Sequence, residues 1–184
     1  AAEDIVSLDT FDDAPWILDV IENLHDKSLL HTWDVTEFPD EIRFGMYESV
    51  RMYALEKLSA ASLEHKVRME HANYFLSKGE EWQQGLASID GVACLNRLAL
   101  ERENLLNAYT QFLQTEPSKA VRVVLLMHPF FLIRSPSDFY ASLMDQAVTL
   151  SANAMPELHA QALKARGEML WNWGRSEDAE KDLL

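Results

Sequence analysis

The sequence predicts a mainly α protein in which a small unit with one β-hairpin, over residues 1–60, precedes stacked helical hairpins over residues 61–184. Both strand-like runs lie within the first 60 residues. From Ser62 onward, apolar residues recur at helical spacing, and glycine or proline separates segments of helix length. The composition agrees with a folded chain, because 48% of the residues are apolar and only 25% are charged.

The first predicted helix begins at Pro15 and ends near His25. Proline is favoured in the first turn of a helix, and Asp12 or Asp13 is available to cap it. Residues 1–13 are acidic and lack a period, so we expect either a poorly ordered lead-in or the tail of a preceding segment. The helix has one apolar face at helical spacing, formed by Trp16, Ile17, Val20, Ile21 and Leu24.

A β-hairpin and a second helix follow. Residues 28–33 and 42–46 have strand character, and the polar segment between them, which contains Pro39 and Asp40, is predicted to be the loop. Residues 47–60 then show helical spacing of apolar positions. Helix, hairpin and helix in this order predict a winged-helix-like unit.

The rest of the chain is predicted to be helical throughout. The expected helices cover residues 62–78, 80–87, 92–114, 118–133, 137–153, 157–173 and 176–184, and they are separated by Gly79, Gly91, Pro117, Pro136, Pro156 and Gly174. The turns at residues 134–136 and 174–176 lie about 40 residues apart, a period typical of helical-hairpin repeats. This spacing predicts an α-solenoid.

The last hairpin fits the tetratricopeptide (TPR) pattern. The matching packing and turn positions are Leu163, Gly167, Leu170, Gly174, Ala179 and Leu183. Small residues at Gly167 and Ala179 would let the two helices approach closely. Arg166 departs from the pattern, which expects a leucine there. A 34-residue unit counted from about Ala160 does not close before Leu184, so we expect a repeat region truncated at the C-terminus.

Four segments resemble one protein family. They are residues 20–30 (VIENLHDKSLL), 42–58 (IRFGMYESVRMYALEKL), 71–76 (HANYFL) and 101–108 (ERENLLNA). In this order and spacing they are similar to the region that follows the ATPase core in AfsR-like and LuxR-associated bacterial STAND regulators. The resemblance implies a regulatory, protein-binding fragment of a signalling ATPase that acts in signal transduction and transcription regulation.

The resemblance also implies that ATP or ADP binds to an upstream domain. No G-x-x-x-x-G-K-[ST] motif occurs in the sequence, so we expect no cofactor in this chain. In related apoptosis and plant-resistance ATPases, a Met-His-Asp element stands where Met46, Tyr47 and Glu48 stand here, and its histidine touches ADP. Tyr47 cannot carry a positive charge near neutral pH. The three residues are candidates for contact with nucleotide, and packing of the hairpin on the helix is the alternative.

Charge argues against nucleic acid as a direct partner. The formal net charge is −14, and residues 1–60 carry 14 Asp and Glu against 4 Lys and Arg. Such a surface repels phosphate backbones. The single cysteine, Cys94, cannot form a disulfide within the chain, and no apolar run is long enough to cross a bilayer. We therefore expect a cytoplasmic protein without a membrane partner.

Catalytic and metal sites are not predicted. The six histidines form no pair at i, i+3 or i+4, and His65 and His71 point to different faces of one helix. No G-x-S-x-G element is present, and Cys94 lies in an apolar helical pattern typical of a buried thiol. The chain is predicted not to be an enzyme.

Large aromatic residues concentrate in the repeat region. Trp171 and Trp173 are about 200° apart on a helix, so at least one of them should be exposed or at a repeat interface. Packing between helices is the other explanation for these aromatics. The candidates for partner binding are Trp171, Trp173, Phe131 and Tyr140.

Two functional hypotheses follow. A regulatory module that rests on an upstream ATPase domain should expose an apolar patch within residues 1–60. An independent TPR-like peptide-binding scaffold should instead show a continuous groove along one face of the repeat helices. A protein partner is expected in both.

Overall fold

The computed structural model describes residues 1–6, 14–133, 137–153 and 155–183. The chain forms two compact units, which we call the N-terminal unit (Ala1–Tyr74) and the helical unit (Phe75–Leu184). The division falls inside a long helix rather than at residue 60. The predicted architecture, a mainly α fold with a small hairpin followed by a series of helical hairpins, is confirmed.

The N-terminal unit has the predicted order of helix, hairpin and helix. Its elements are α1 (Ala2–Ile5), α2 (Ile17–Asp26), β1 (Leu30–Val35), β2 (Phe38–Met46) and α3 (Glu48–Ala60), followed by the first half of α4 (Glu64–Gly85). The helix predicted from Pro15 begins two residues later, and no side chain caps it. The predicted caps Asp12 and Asp13 lie outside the described residues.

Two serines end helices in this unit. Ser28 follows α2 with φ of 56°, and Ser62 follows α3 with φ of 58°. After α2, the Leu29 amide donates to the Leu24 carbonyl at 2.9 Å, and the Ser28 amide donates to the His25 carbonyl at 2.8 Å. These two bonds form a Schellman motif, which satisfies carbonyls at the helix end.

The hairpin turn is tighter than predicted. Strands β1 and β2 pair antiparallel from Leu30↔Met46 to Asp34↔Ile42, and a register shift leads to Val35↔Phe38. Only Thr36 and Glu37 separate the strands. The predicted loop at Pro39 and Asp40 is wrong, because both residues belong to β2. Proline is tolerated there since both strands of a two-stranded sheet are edge strands.

The helical unit contains the second half of α4, then α5 (Gly91–Leu100), α6 (Arg102–Thr115), α7 (Pro117–Ile133), α8 (Asp138–Ser151), α9 (Pro156–Asn172) and α10 (Ser176–Leu183). From α6 to α10 each helix packs on the next, and α7 also packs on α9. The fully enclosed side chains include Leu105, Phe112, Val121, Val124, Leu126, Phe131, Met144 and Met169. The core of the described residues is concentrated in this unit.

Two predicted helix boundaries are wrong. Gly79 does not separate two helices, because α4 is continuous and Gly79 packs against α7; a Cβ at Gly79 would lie 2.8 Å from Leu126 Cδ1. The predicted helix 92–114 is divided at Glu101, which has φ −92° and ψ 12°. The Asn104 side chain donates to the Glu101 carboxylate at 2.6 Å and closes this junction. The predicted turn at residues 134–136 lies outside the described residues.

A proline inside α7 is compensated by a neighbouring helix. Pro129 has no amide hydrogen, so the Leu125 carbonyl lacks its usual helical donor. Gln83 on α4 donates to this carbonyl through Nε2 at 3.4 Å. Asn172 on α9 donates to the Leu132 carbonyl at the end of α7 at 2.7 Å. Side chains of adjacent helices therefore satisfy the backbone of α7.

The last hairpin is held by an ion-pair network at Arg166. Its guanidinium donates to both carboxylate oxygens of Asp182 on α10, at 2.6 and 2.7 Å, and to Asp145 on α8 at 2.8 Å. The Asp182 side chain is only 6% exposed. Arg166 occupies the position where the TPR pattern expects a leucine, and here it links three helices. Gly167 approaches Leu183 closely, as the pattern predicts.

Candidate functional site

An apolar groove of about 430 Å³ lies in the N-terminal unit. Its walls come from the end of α2 and the residues that follow it, from the last residue of β2, and from one face of α3. The lining residues are Leu24, Leu29, Leu30, Met46, Ser49, Val50, Tyr53 and Ala54. None of these side chains is charged, so the groove offers an uncharged, mostly aliphatic surface.

The groove exists because this unit does not bury its apolar residues. Neither α2 nor α3 contains a buried residue, although α2 has the predicted apolar face. Among residues 14–60, only Leu30 and Val35 are buried hydrophobic residues. Leu24 and Val50 are only partly buried, and Tyr53 is 61% exposed. An amphipathic helix normally buries its apolar face against a neighbour, and the described part of the chain leaves the apolar positions of α2 and α3 only partly covered.

The apolar surface continues from the groove along one face of the hairpin. Residues paired directly across an antiparallel ladder share a face, and the side chains of a strand alternate between faces. The pairs Leu30↔Met46, Thr32↔Phe44 and Asp34↔Ile42 therefore lie on the same face. Phe44 is 46% exposed and Ile42 is 60% exposed. The groove and this hairpin face form one apolar stripe with Asp34 at its far end.

The opposite face of the hairpin carries an aromatic cluster. The His31 ring lies 5.0 Å from the Tyr47 ring and 5.6 Å from the Trp33 ring, measured between centroids. Gly45 lies beneath this cluster, where a Cβ would meet Trp33 and His31. The cluster therefore depends on a glycine at this position.

The candidates for nucleotide contact lie at the junction of β2 and α3. Met46 is exposed and lines the groove, and Tyr47 is 56% exposed beside His31. The Glu48 carboxylate accepts two hydrogen bonds from Arg51, at 2.8 and 3.0 Å. These bonds lower the pKa of Glu48 and raise that of Arg51. Met46 therefore lies at the groove, Tyr47 beside the His31 ring and Glu48 beside Arg51. Contact of these three residues with nucleotide stays a prediction.

The candidates for partner binding in the helical unit separate into two pairs. Phe131 and Tyr140 are core residues, with rings stacked at 4.4 Å and an interplanar angle of 21°. Their burial favours the packing alternative for these two residues. Trp171 is 65% exposed, and Trp173 is half-buried, with an indole Nε1 that has no hydrogen-bond partner among the described residues. One tryptophan is exposed, as their angular separation predicts.

A polar depression of about 240 Å³ lies between α8, α9 and α10. Among the residues that line it, Arg166 pairs with both Asp145 and Asp182, and Asp178 pairs with both Arg175 and Lys181. The protein's own ion pairs therefore occupy this surface of the terminal hairpins.

A serine and a histidine lie close together in the helical unit. Ser151 Oγ lies 3.1 Å from His159 Nδ1. The hydroxyl is fully buried and lies 2.7 Å from the Ala147 carbonyl oxygen in its own helix, so it is not placed to attack a substrate. The pair links the end of α8 to the start of α9.

The described residues form neither a metal-binding group nor a membrane-spanning helix. No group of three or more His, Cys, Asp or Glu residues in this part of the chain is arranged to hold a metal ion. No helix in the described ranges has the length and apolarity needed to span a membrane. Cys94 is half-buried.

The sequence segments that carry the family resemblance differ in their structural role. In residues 71–76 and 101–108, the characteristic positions are packed: Ala72, Phe75, Leu105 and Ala108 are buried. In residues 42–58, by contrast, most of the apolar positions are exposed or line the groove. Packing within the N-terminal unit therefore does not account for most of the apolar residues in 42–58.

The sequence alone did not identify the groove as a site. The sequence predicts that Leu24 and Val50 lie on the apolar faces of two helices. That both residues line one groove depends on how these helices are arranged in the fold. Comparison of the chain with family models, curated proteins and solved structures gives no match.

Proposed function

We propose that this chain is a non-catalytic regulatory fragment of a STAND-type signalling ATPase, and that its N-terminal unit docks on the ATPase domain of the same polypeptide. The observation that carries this proposal is the apolar groove. It lies in the unit where the regulatory hypothesis expects an uncovered apolar patch, and its lining includes Met46, Val50 and Tyr53 from the segment most similar to STAND regulators.

The groove supports docking because of its energetic cost when uncovered. Burial of apolar surface contributes about 25 cal/mol per Å² removed from water. A soluble unit that leaves such a surface uncovered gains this free energy when a partner covers it. The hairpin face with Phe44 and Ile42 enlarges the surface that one partner can cover.

The alternative, an independent TPR-like peptide-binding scaffold, has less support. Its groove is expected along the repeat helices, where Phe131 and Tyr140 are buried and Arg166, Arg175 and Lys181 pair with neighbouring carboxylates. The exposed Trp171 is the observation in its favour. We propose that the helical unit is the sensor arm, with Trp171 as its contact candidate.

Calorimetry of the full chain with the upstream ATPase segment of the parent protein tests the proposal. We expect binding that depends on whether ADP or an ATP analogue is present. The variant Ala54→Gln places a polar amide in the groove and should weaken binding by about tenfold, which corresponds to about 1.4 kcal/mol.

Met52→Gln is the matched control. Met52 lies on the same helix and is exposed, but it is two residues from Ala54 and therefore about 200° away from it. This variant should bind like the unmodified chain. Absence of binding with either nucleotide, or equal loss in both variants, would overturn docking through the groove and favour the scaffold alternative.

A further inference from the structure

The apolar groove is surrounded by an acidic unit. Residues 1–60 carry 14 acidic residues against 4 basic ones, a net charge of −10. Two of the four cations pair with carboxylates within the unit, Arg43 with Glu41 and Arg51 with Glu48. Of the other two, Lys57 lies over the Tyr53 ring, with its ammonium 5.0 Å from the centroid. Because Tyr53 lines the groove, Lys57 stands at the edge of the groove. The groove lining is uncharged, and the net charge of residues 1–60 is negative.

Two carboxylates stand close to the apolar stripe. Asp34 faces Ile42 across the ladder and ends the hairpin part of the stripe. Glu56 follows Ser49 by seven residues on α3, so both lie on the same side of that helix. Asp34 and Glu56 are exposed. A cation held by a partner would meet the accessible carboxylate of Asp34 at the hairpin end of the stripe, whereas Glu56 at the α3 end lies next to Lys57.

We propose that the groove binds an amphipathic helix of the partner that carries Lys or Arg residues beside its apolar face. This inference rests on the proposed docking function and names the element that docks. The apolar ridge of such a helix, at i, i+3, i+4 and i+7, fills an apolar groove in the way that other helix-in-groove complexes are built. Its basic flanks meet the negative surface of the unit, which speeds association and selects against acidic partners.

The dimensions of the site fit a short helix. One wall of the groove is α3, which has 13 residues and is therefore about 20 Å long at 1.5 Å per residue. A partner helix of similar length, with three to four turns, lies alongside it. Hairpin residues Phe44 and Ile42 then extend the contact beyond the end of α3.

Charge disfavours the other occupants. A second copy of this chain carries the same formal net charge of −14, so two copies repel each other. Phosphate backbones and anionic lipid surfaces are repelled for the same reason. A basic helix of a protein is the occupant that satisfies both the apolar lining and the negative surroundings.

Fluorescence anisotropy of the full chain with three labelled 14-residue peptides tests this inference. The first peptide contains only leucine and lysine, with leucine at i, i+3, i+4 and i+7. The second replaces every lysine with glutamate, and the third has the composition of the first in an order without helical periodicity. We expect the first peptide alone to bind, with an affinity that falls as salt concentration rises.

The groove variants locate the binding site. Ala54→Gln should weaken binding of the leucine–lysine peptide by about tenfold, and Met52→Gln should leave it within twofold. Equal binding of the lysine and glutamate peptides, or equal effects of the two variants, would overturn the basic-helix inference.

The outcomes also separate this inference from the proposed function. Binding of the ATPase segment that Ala54→Gln weakens, without binding of the leucine–lysine peptide, would overturn the inference and leave the proposed function intact. Groove-dependent binding of the peptide without binding of the ATPase segment would support the inference and overturn docking on the ATPase.

Discussion

At the residue scale, single side chains in this protein compensate for backbone groups that would otherwise lack partners. Gln83 donates to the Leu125 carbonyl that Pro129 leaves without a helical donor. Asn172 donates in the same way to the Leu132 carbonyl near the end of α7. Buried or partly buried backbone carbonyls need such donors because an unpaired polar group costs about 1–3 kcal/mol.

Ser28 and Ser62 hold positive φ angles that glycine adopts at no steric cost. We expect Ser28→Gly and Ser62→Gly each to raise the free energy of unfolding by about 1 kcal/mol, since the left-handed conformation costs other residues about that much. Urea denaturation followed by circular dichroism measures the change. Ser59→Gly, inside α3, is the control and should destabilise the chain. Destabilisation by all three substitutions would show that the two serines are not strained.

His128 should make stability depend on pH. Burial lowers the pKa of His128, and Glu168, 3.6 Å from its Nε2, opposes this effect only in part. The unfolded chain therefore takes up a proton at His128 first, at about pH 6.5. Above that pH, His128 is neutral in both states and does not reduce the free energy of unfolding. As the pH falls from there toward the lower pKa of the folded state, protonation of the unfolded chain reduces the free energy of unfolding.

We expect the free energy of unfolding to decrease between pH 7.5 and pH 5.5, and to decrease less in His128→Gln. Urea denaturation at the two pH values makes the comparison. An equal decrease in both proteins would mean that His128 titrates alike in the folded and unfolded states.

At the element scale, the helices of the helical unit are positioned by close contacts and by ion pairs. Small residues bring helices together at Gly79 and Gly167, while Arg166 joins α8, α9 and α10. The pKa of Arg166 is raised, chiefly by its hydrogen bonds to Asp182. These contacts lie between helices, so they determine how helices pack rather than where each begins and ends.

Gly79 is required by packing rather than by helix termination. Alanine favours a helix over glycine by about 1 kcal/mol, so Gly79→Ala would stabilise an exposed helix. Here its Cβ meets Leu126, and we expect destabilisation by about 1–3 kcal/mol in thermal or urea unfolding. Adding Leu126→Val should recover part of the loss. If Gly79→Ala alone stabilised the chain, the packing of α4 on α7 described above would be wrong.

The ion pair of Arg166 should be worth more than a surface pair. Arg166→Leu, which introduces the residue that the TPR pattern expects, leaves the buried Asp182 carboxylate without its partner and should destabilise the chain by about 2 kcal/mol. The double variant Arg166→Leu/Asp182→Leu removes the orphan charge and should recover most of this loss. A double-mutant cycle by urea denaturation measures the coupling; additive effects would count against it.

At the scale of the whole molecule, the two units contrast in how they use apolar residues. The helical unit buries them in a core between consecutive helices, and the N-terminal unit leaves many exposed around the apolar groove. The formal net charge of −14 opposes association between copies near neutral pH, whereas the exposed apolar surface favours it.

Loss of this repulsion should cause self-association. The isoelectric point from the sequence is about 4.7, so the net charge falls as the pH approaches that value. We expect dynamic light scattering to show monomers at pH 7.5 and larger species near pH 5, with less association for Ala54→Gln than for Met52→Gln at the same pH. Equal scattering by the two variants would show that the groove is not the surface responsible.

Local physics let the sequence determine the element types and their order. Helical and strand periodicity depend on neighbouring residues, so α2, both strands, α3 and the helices from α7 to α10 were predicted near their observed positions. The acidic surface and the small residues of the last hairpin followed from composition and spacing in the same way.

Only the tertiary structure decided which residues are covered. The sequence predicts a helix boundary at Gly79 and none at Glu101, whereas the structure has a boundary at Glu101 and none at Gly79. A glycine that ends a helix and a glycine that makes room for Leu126 have the same local pattern. Phe131 is enclosed and Trp171 is exposed, although both are large aromatics on helices. The groove lies between residues of α2, the hairpin and α3, and no local pattern encodes how these segments are arranged. Burial depends on contacts between segments that are distant in sequence. The position of the candidate site, which consists of apolar residues left uncovered, is therefore decided by the tertiary structure.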